Sequence, residues 1–156
     1  MQVNIGLPDA SRKAVAQILN AVLADAYVLY TKTRNYHWNV KGPHFHDLHK
    51  LFEAQYDTID DAIDEIAERV RALGEPALGS MKDFLAVTRL SESTGALTAT
   101  QMIAALLNDH EAIIRQVRSD IDTVGVEHGD TGNQDYLTGL MEEHEKMAWM
   151  LRSMLE

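Results

Sequence analysis

The chain contains no cysteine. That excludes disulfides, thiolate nucleophiles and cysteine-based zinc sites, and it is compatible with a reducing, cytoplasmic setting. Proline is nearly as scarce, at positions 8, 43 and 76 only, so long stretches are free of the strongest helix breaker. No run of 18 apolar residues occurs, and nothing is expected to span a membrane. Residues 1–9 lack the basic-then-apolar order of a secretory signal. Positive charge is short as well: 14 Lys and Arg stand against 24 Asp and Glu, a net charge of -10. Such a chain should repel nucleic acid and anionic membranes and attract metal cations. What is plentiful is apolar surface, with 46% of 156 residues hydrophobic. A chain of this length builds one core rather than two, so a single domain over residues 1–156 is expected.

Apolar residues recur at the helical period in four long segments. The first runs from Asp9 to about Tyr36, carrying Val15, Ile18, Leu19, Val22, Ala26, Leu29 and Tyr30. After Gly42-Pro43, a second carries Phe45, Leu48, Phe52, Tyr56, Ile59, Ile63, Ile66 and Val70 and stops at Gly74, with Pro76 beyond. Ser80 and Asp83 suggest a capped short helix through about Val87. Thr98 and Gln101 form a capping box that opens a third long helix, expected to end before Gly125. The fourth spans about Thr131 to Met154. Short links join helices one to two and three to four, whereas the stretch from Gly74 to Leu97 is long enough to cross a bundle. The spacing predicts an all-α fold: a ferritin-like four-helix bundle with a short extra helix in the crossover between helices two and three.

Chemistry concentrates between Asn35 and Arg69. Four of the seven histidines, His37, His44, His46 and His49, precede an acidic stripe on helix two. Setting His49 at zero and advancing about 100° per residue puts Asp60 near 20°, Glu53 near 40°, Asp64 near 60°, Asp57 near 80° and Glu68 near 100°. This stripe lies beside the apolar face rather than within it. His49 and Glu53 are four residues apart, as are Asp64 and Glu68, so each pair can grip one cation from adjacent turns. Glu53 and Asp64, eleven residues apart, are separated by about 16 Å along the axis, and no single ion touches both. Each pair is half a site. A second copy of the helix, antiparallel about a twofold axis, would complete both halves, and His37 could join the first across the short link. Mixed nitrogen and oxygen ligands suit iron, manganese or zinc alike.

The run from Asn35 through His37-Trp38 and Gly42-Pro43 to His49, with Asp64-Glu65-Ile66-Ala67-Glu68-Arg69-Val70 and Leu73-Gly74 after it, resembles the signature of the Dps family, the miniferritins. The resemblance extends over nearly the whole chain. It implies a hollow homododecamer whose ferroxidase sites lie at twofold interfaces, with His37, His49 and Glu53 from one subunit and Asp64 and Glu68 from its neighbour. It further implies oxidation of Fe(II) preferentially by hydrogen peroxide, storage of ferric oxide in the cavity and protection from oxidative stress, with zinc or manganese as competitors for iron. Family members often carry Asp where this chain has Glu53, a longer arm that would shift the second metal position. The Glu-x-x-His motifs of ordinary ferritins are missing, since Leu107 and Met141 stand three residues before His110 and His144.

Other residues have plainer readings. Trp38 packs or intercepts radicals. His44 and His46 are exposed at the start of helix two, and His110 and His144 are satisfied helix residues. Asp57 and Asp60 could stage iron, and Glu127, Asp130 and Asp135 could line an acidic entry pore. Residues 1–11 hold no basic side chain and Leu151–Glu156 only one, so tight direct DNA binding is not expected. Two other functions stay open on the residues alone: a structural nucleoid protein, which needs a basic surface, and a small di-metal enzyme, which needs an open cleft.

Overall fold

The computed structural model describes residues 3–156, and every element among them is helical. The order is α1 (Asp9–Asn39), α2 (Phe45–Ala72), α3 (Met81–Val87), α4 (Ala99–Asp122), a π-helical turn (Thr123–Glu127) and α5 (Thr131–Ser153). Helices α1 and α2 pack as one antiparallel pair and α4 and α5 as another. The crossover carrying α3 lies over α1, which also packs against α4. The expected bundle with its short crossover helix is thus the observed one.

The apolar stripes meet in a continuous core. Leu19, Leu29, Phe52, Ile66, Leu106, Leu137 and Leu151 are fully buried, and each large side chain so buried stabilises the fold by about 1.5–3 kcal/mol relative to exposure. One 18-residue window of α1 is apolar enough to cross a bilayer by length and hydropathy alone, but 56% of it is buried inside the bundle.

Helix ends follow local chemistry. Thr98 and Gln101 form the full reciprocal capping box on α4, and Ser80 accepts from the Asp83 amide at the start of α3. The α-helical part of α4 ends at Asp122, before Gly125 as expected; the chain continues through the π turn and breaks at Gly129, which has φ +68°. Gly125 serves packing, because the Gln134 side chain occupies the space a Cβ would need.

Polar anchors on α1 hold the crossover in place. The carboxylate of Asp25, fully buried, accepts from Thr88 Oγ1 at 2.9 Å and from the Arg89 backbone N–H and Nε at 2.6 and 2.7 Å. Arg89 reaches on to Asp120 of α4 at 2.9 Å. Asn20 binds both Pro76 O and Leu78 N–H, and Tyr27 stacks on Phe84 of α3 at 4.0 Å.

Candidate metal centre

His37 sits in the last turn of α1 and His49 in the first turns of α2, brought side by side by a link whose Gly42 takes φ +122°. Their rings stack at 3.8 Å with 18° between planes. Each ring bonds the other residue's main chain: His37 Nδ1 lies 2.8 Å from His49 O, and His49 Nδ1 lies 2.9 Å from His37 O. A carbonyl only accepts, so both Nδ1 atoms carry the proton. In the neutral imidazole this leaves a lone pair on each Nε2, the arrangement in which a metal-ligating histidine is oriented by its other nitrogen. The exchange also satisfies the His37 carbonyl, one of the four acceptors that the end of α1 leaves unpaired.

Glu53 lies one turn further along α2, half-buried, with Lys50 Nζ 2.6 Å from its carboxylate. The hydrogen bond from Lys50 holds this carboxyl below its usual range. Tyr56 stands edge-on to His37 at 5.2 Å, and Phe45 stacks on His49 at 5.1 Å. Arg34 places its guanidinium within 5.1–5.4 Å of the Tyr30, Trp38 and Tyr56 rings. Trp38 itself is 63% exposed, held by that contact and not by the core.

Asp64 and Glu68 occupy the other half of α2 and are both exposed. Asp64 borders an open groove of about 500 Å³ with Asp60, Leu23, Tyr27 and Leu78. No three His, Asp or Glu side chains among the described residues converge to hold one ion. The chain therefore brings His37 and His49 together, sets Glu53 beside them, and leaves Asp64 and Glu68 on a separate surface.

The remaining candidates divide. His44, His46, Asp57 and Asp60 are exposed. Glu127 and Asp135 are exposed too, whereas Asp130 is buried and caps α5, its two oxygens accepting from Asn133 N–H and Nδ2 at 3.0 and 2.6 Å. His110 and His144 contact each other in the core, Nδ1 to Nδ1 at 2.8 Å. The sequence reading missed Lys50, Arg34 and Tyr56. The i, i+4 spacing of Tyr30, Arg34 and Trp38 was the available signal for part of that cluster.

Such a bundle, two antiparallel helix pairs joined by one long crossover, defines a ferritin-like fold. A family model described as a ferritin-like domain matches residues 16–156. A low temperature-induced protein of Nostoc sp. is 51% identical over 99% of this chain and 87% of its own length. The DNA protection during starvation protein 2 of Bacillus anthracis is 38% identical over 92% of this chain and 97% of its own. Among solved structures, the Dps protein from Vibrio cholerae O1, described as a member of a broad superfamily of ferritin-like diiron-carboxylate proteins, superposes with a TM-score of 0.93. It is 31% identical, covering all of this chain and 98% of that one. The chain belongs to the Dps family of ferritin-like proteins.

Proposed function

We propose that this protein is a ferroxidase that stores iron: it binds Fe(II) at sites shared between two copies, oxidises it preferentially with hydrogen peroxide, and keeps the ferric oxide inside a hollow dodecamer, so protecting a cytoplasm from oxidative damage. The observation that carries this reading is the reciprocal His37–His49 lock, which leaves two imidazole lone pairs beside an ionised Glu53. Asp64 and Glu68 of a second copy would supply the carboxylates this half lacks. Zinc and manganese would compete for the same donors.

In this scheme the chain's own groups do two things. The two Nε2 atoms and the carboxylates accept Fe(II) without a thiolate that peroxide would destroy. The Nδ1 bonds to the main chain fix which nitrogen of each ring, Nε2, is left to act as the donor to metal. Two Fe(II) ions give two electrons to one peroxide, which with two protons becomes two waters, so no hydroxyl radical is released.

The DNA-protection names of several relatives raise a second reading, direct binding to DNA. The charge of -10 and the shortage of basic residues near either end of the sequence oppose it. Anaerobic loading with Fe(II), then peroxide, then a count of soluble ferric iron retained per chain tests the main reading. A count far above two supports mineral storage, because no set of side chains here could ligate so much iron. A count of two or fewer contradicts it.

A further inference from the structure

A second pair of histidines lies outside the metal centre, in the middle of the α4–α5 packing. His110 and His144 are almost wholly buried, and their Nδ1 atoms are 2.8 Å apart. One proton joins them. His110 Nε2 is buried without a hydrogen-bond partner, and a bare lone pair there costs less than an unmade N–H bond. His110 is thus the Nδ1–H donor and His144 the acceptor, with the second ring's proton on its Nε2.

We propose that this imidazole pair is an acid-labile lock on the α4–α5 packing, closed while both rings are neutral and broken when the pair takes up a further proton. The first added proton would go to the bare Nε2 of His110, creating a buried charge and an N–H with no acceptor, and a second would turn both facing Nδ1 atoms into donors. No other group compensates. From α1, Lys32 is spent on Asp109 of α4 at 2.5 Å, and Tyr36 donates to Ser93 at 2.7 Å. From α2, the buried amide of Gln55 bonds Met147 O one turn from His144. On α4, Glu111 binds Arg152, and on α5, Glu145 binds Arg118 while Glu143 faces solvent. Among the described residues no carboxylate acts on either ring.

Burial lowers the affinity of both rings for a proton. His144 is pushed down to about 4, and His110 well below 6.5 by burial first and by His144 second. In the unfolded chain the same rings protonate at the ordinary value of 6.5. The lock is therefore intact above pH 6.5. As pH falls from there towards 4, the open form binds protons that the closed form refuses, and stability drains away. Below that window the closed form protonates too and the dependence flattens. This proposal does not rest on ferroxidase activity.

Amide hydrogen exchange on the assembled protein between pH 7 and pH 4, corrected for intrinsic exchange, tests it. Openings across residues 102–117 and 137–151 should rise relative to the α1–α2 core by about 10-fold per pH unit for each proton taken up, about 100-fold for both. In a His110→Leu/His144→Leu variant that excess should vanish. Parallel behaviour of both helix pairs in the unaltered protein, or an unchanged excess in the variant, would overturn the lock. If the variant does not fold, C2–H exchange of the two rings in the unaltered protein decides: both should stay neutral well below 6.5, and a folded-state midpoint near 6.5 would overturn the proposal.

Discussion

The protein carries two histidine pairs, and they use the same side chain in opposite ways. At the α1–α2 link each ring bonds the other's backbone carbonyl, stacks at 3.8 Å and is left with Nε2 available. Between α4 and α5 the rings tilt by 51° and bond each other directly, and the one Nε2 left bare, on His110, is sealed in the core. The difference lies in what satisfies Nδ1. A helix end offers unpaired carbonyls, so a histidine there can be held by the main chain while its outer nitrogen stays free. In the α4–α5 packing the two buried imidazoles face each other, and each satisfies the other's Nδ1 instead.

Substitutions should separate the two pairs. His49→Ala or Asp64→Ala should each slow peroxide-driven Fe(II) oxidation by at least about 100-fold, read as growth of ferric absorbance, because metal sites lose affinity steeply even when an outer partner is removed. Next in size is acid: global stability should decline as pH falls from 6.5 towards 4 in the unaltered protein, and replacing His110 and His144 by Leu should flatten that decline in denaturant titrations. Lys50→Met should tighten Co(II) or Zn(II) binding by no more than about 5-fold, since an ion pair this open to solvent holds Glu53 only weakly. Smallest of all, the Leu double variant should leave the ferroxidase rate at neutral pH unchanged, since His110 and His144 bond each other and neither His37 nor His49. A large loss there would mean that the two pairs communicate.

Local signals carried most of the fold. The capping box at Thr98 and Gln101 spans three residues, and the apolar stripes follow a fixed period, so both could be read without knowing the rest of the chain. The half-site geometry was legible because His49, Glu53, Asp64 and Glu68 share one straight helix whose rise is known. What could not be read depended on residues distant in sequence or on competing duties. The end of α4 before Gly125 was legible, but not that Gln134, nine residues on, fills the space a side chain there would need. Nor was it legible that both oxygens of Asp130 are taken by Asn133. The direct bond between His110 and His144 joins residues 34 apart in sequence, and no spacing rule foretells it. The lock on His37 and His49 uses backbone carbonyls, which leave no trace in the sequence.

The central claim is that the metal centre closes only between two copies, and complementation tests it most directly. His49→Ala and Asp64→Ala chains, unfolded together and reassembled, should recover activity that neither has alone. Each mixed pair regains one intact site of its two, so random mixing should restore about a quarter of the unaltered protein's sites. Activity no greater than that of either parent, in oligomers shown to be mixed, would contradict a shared site.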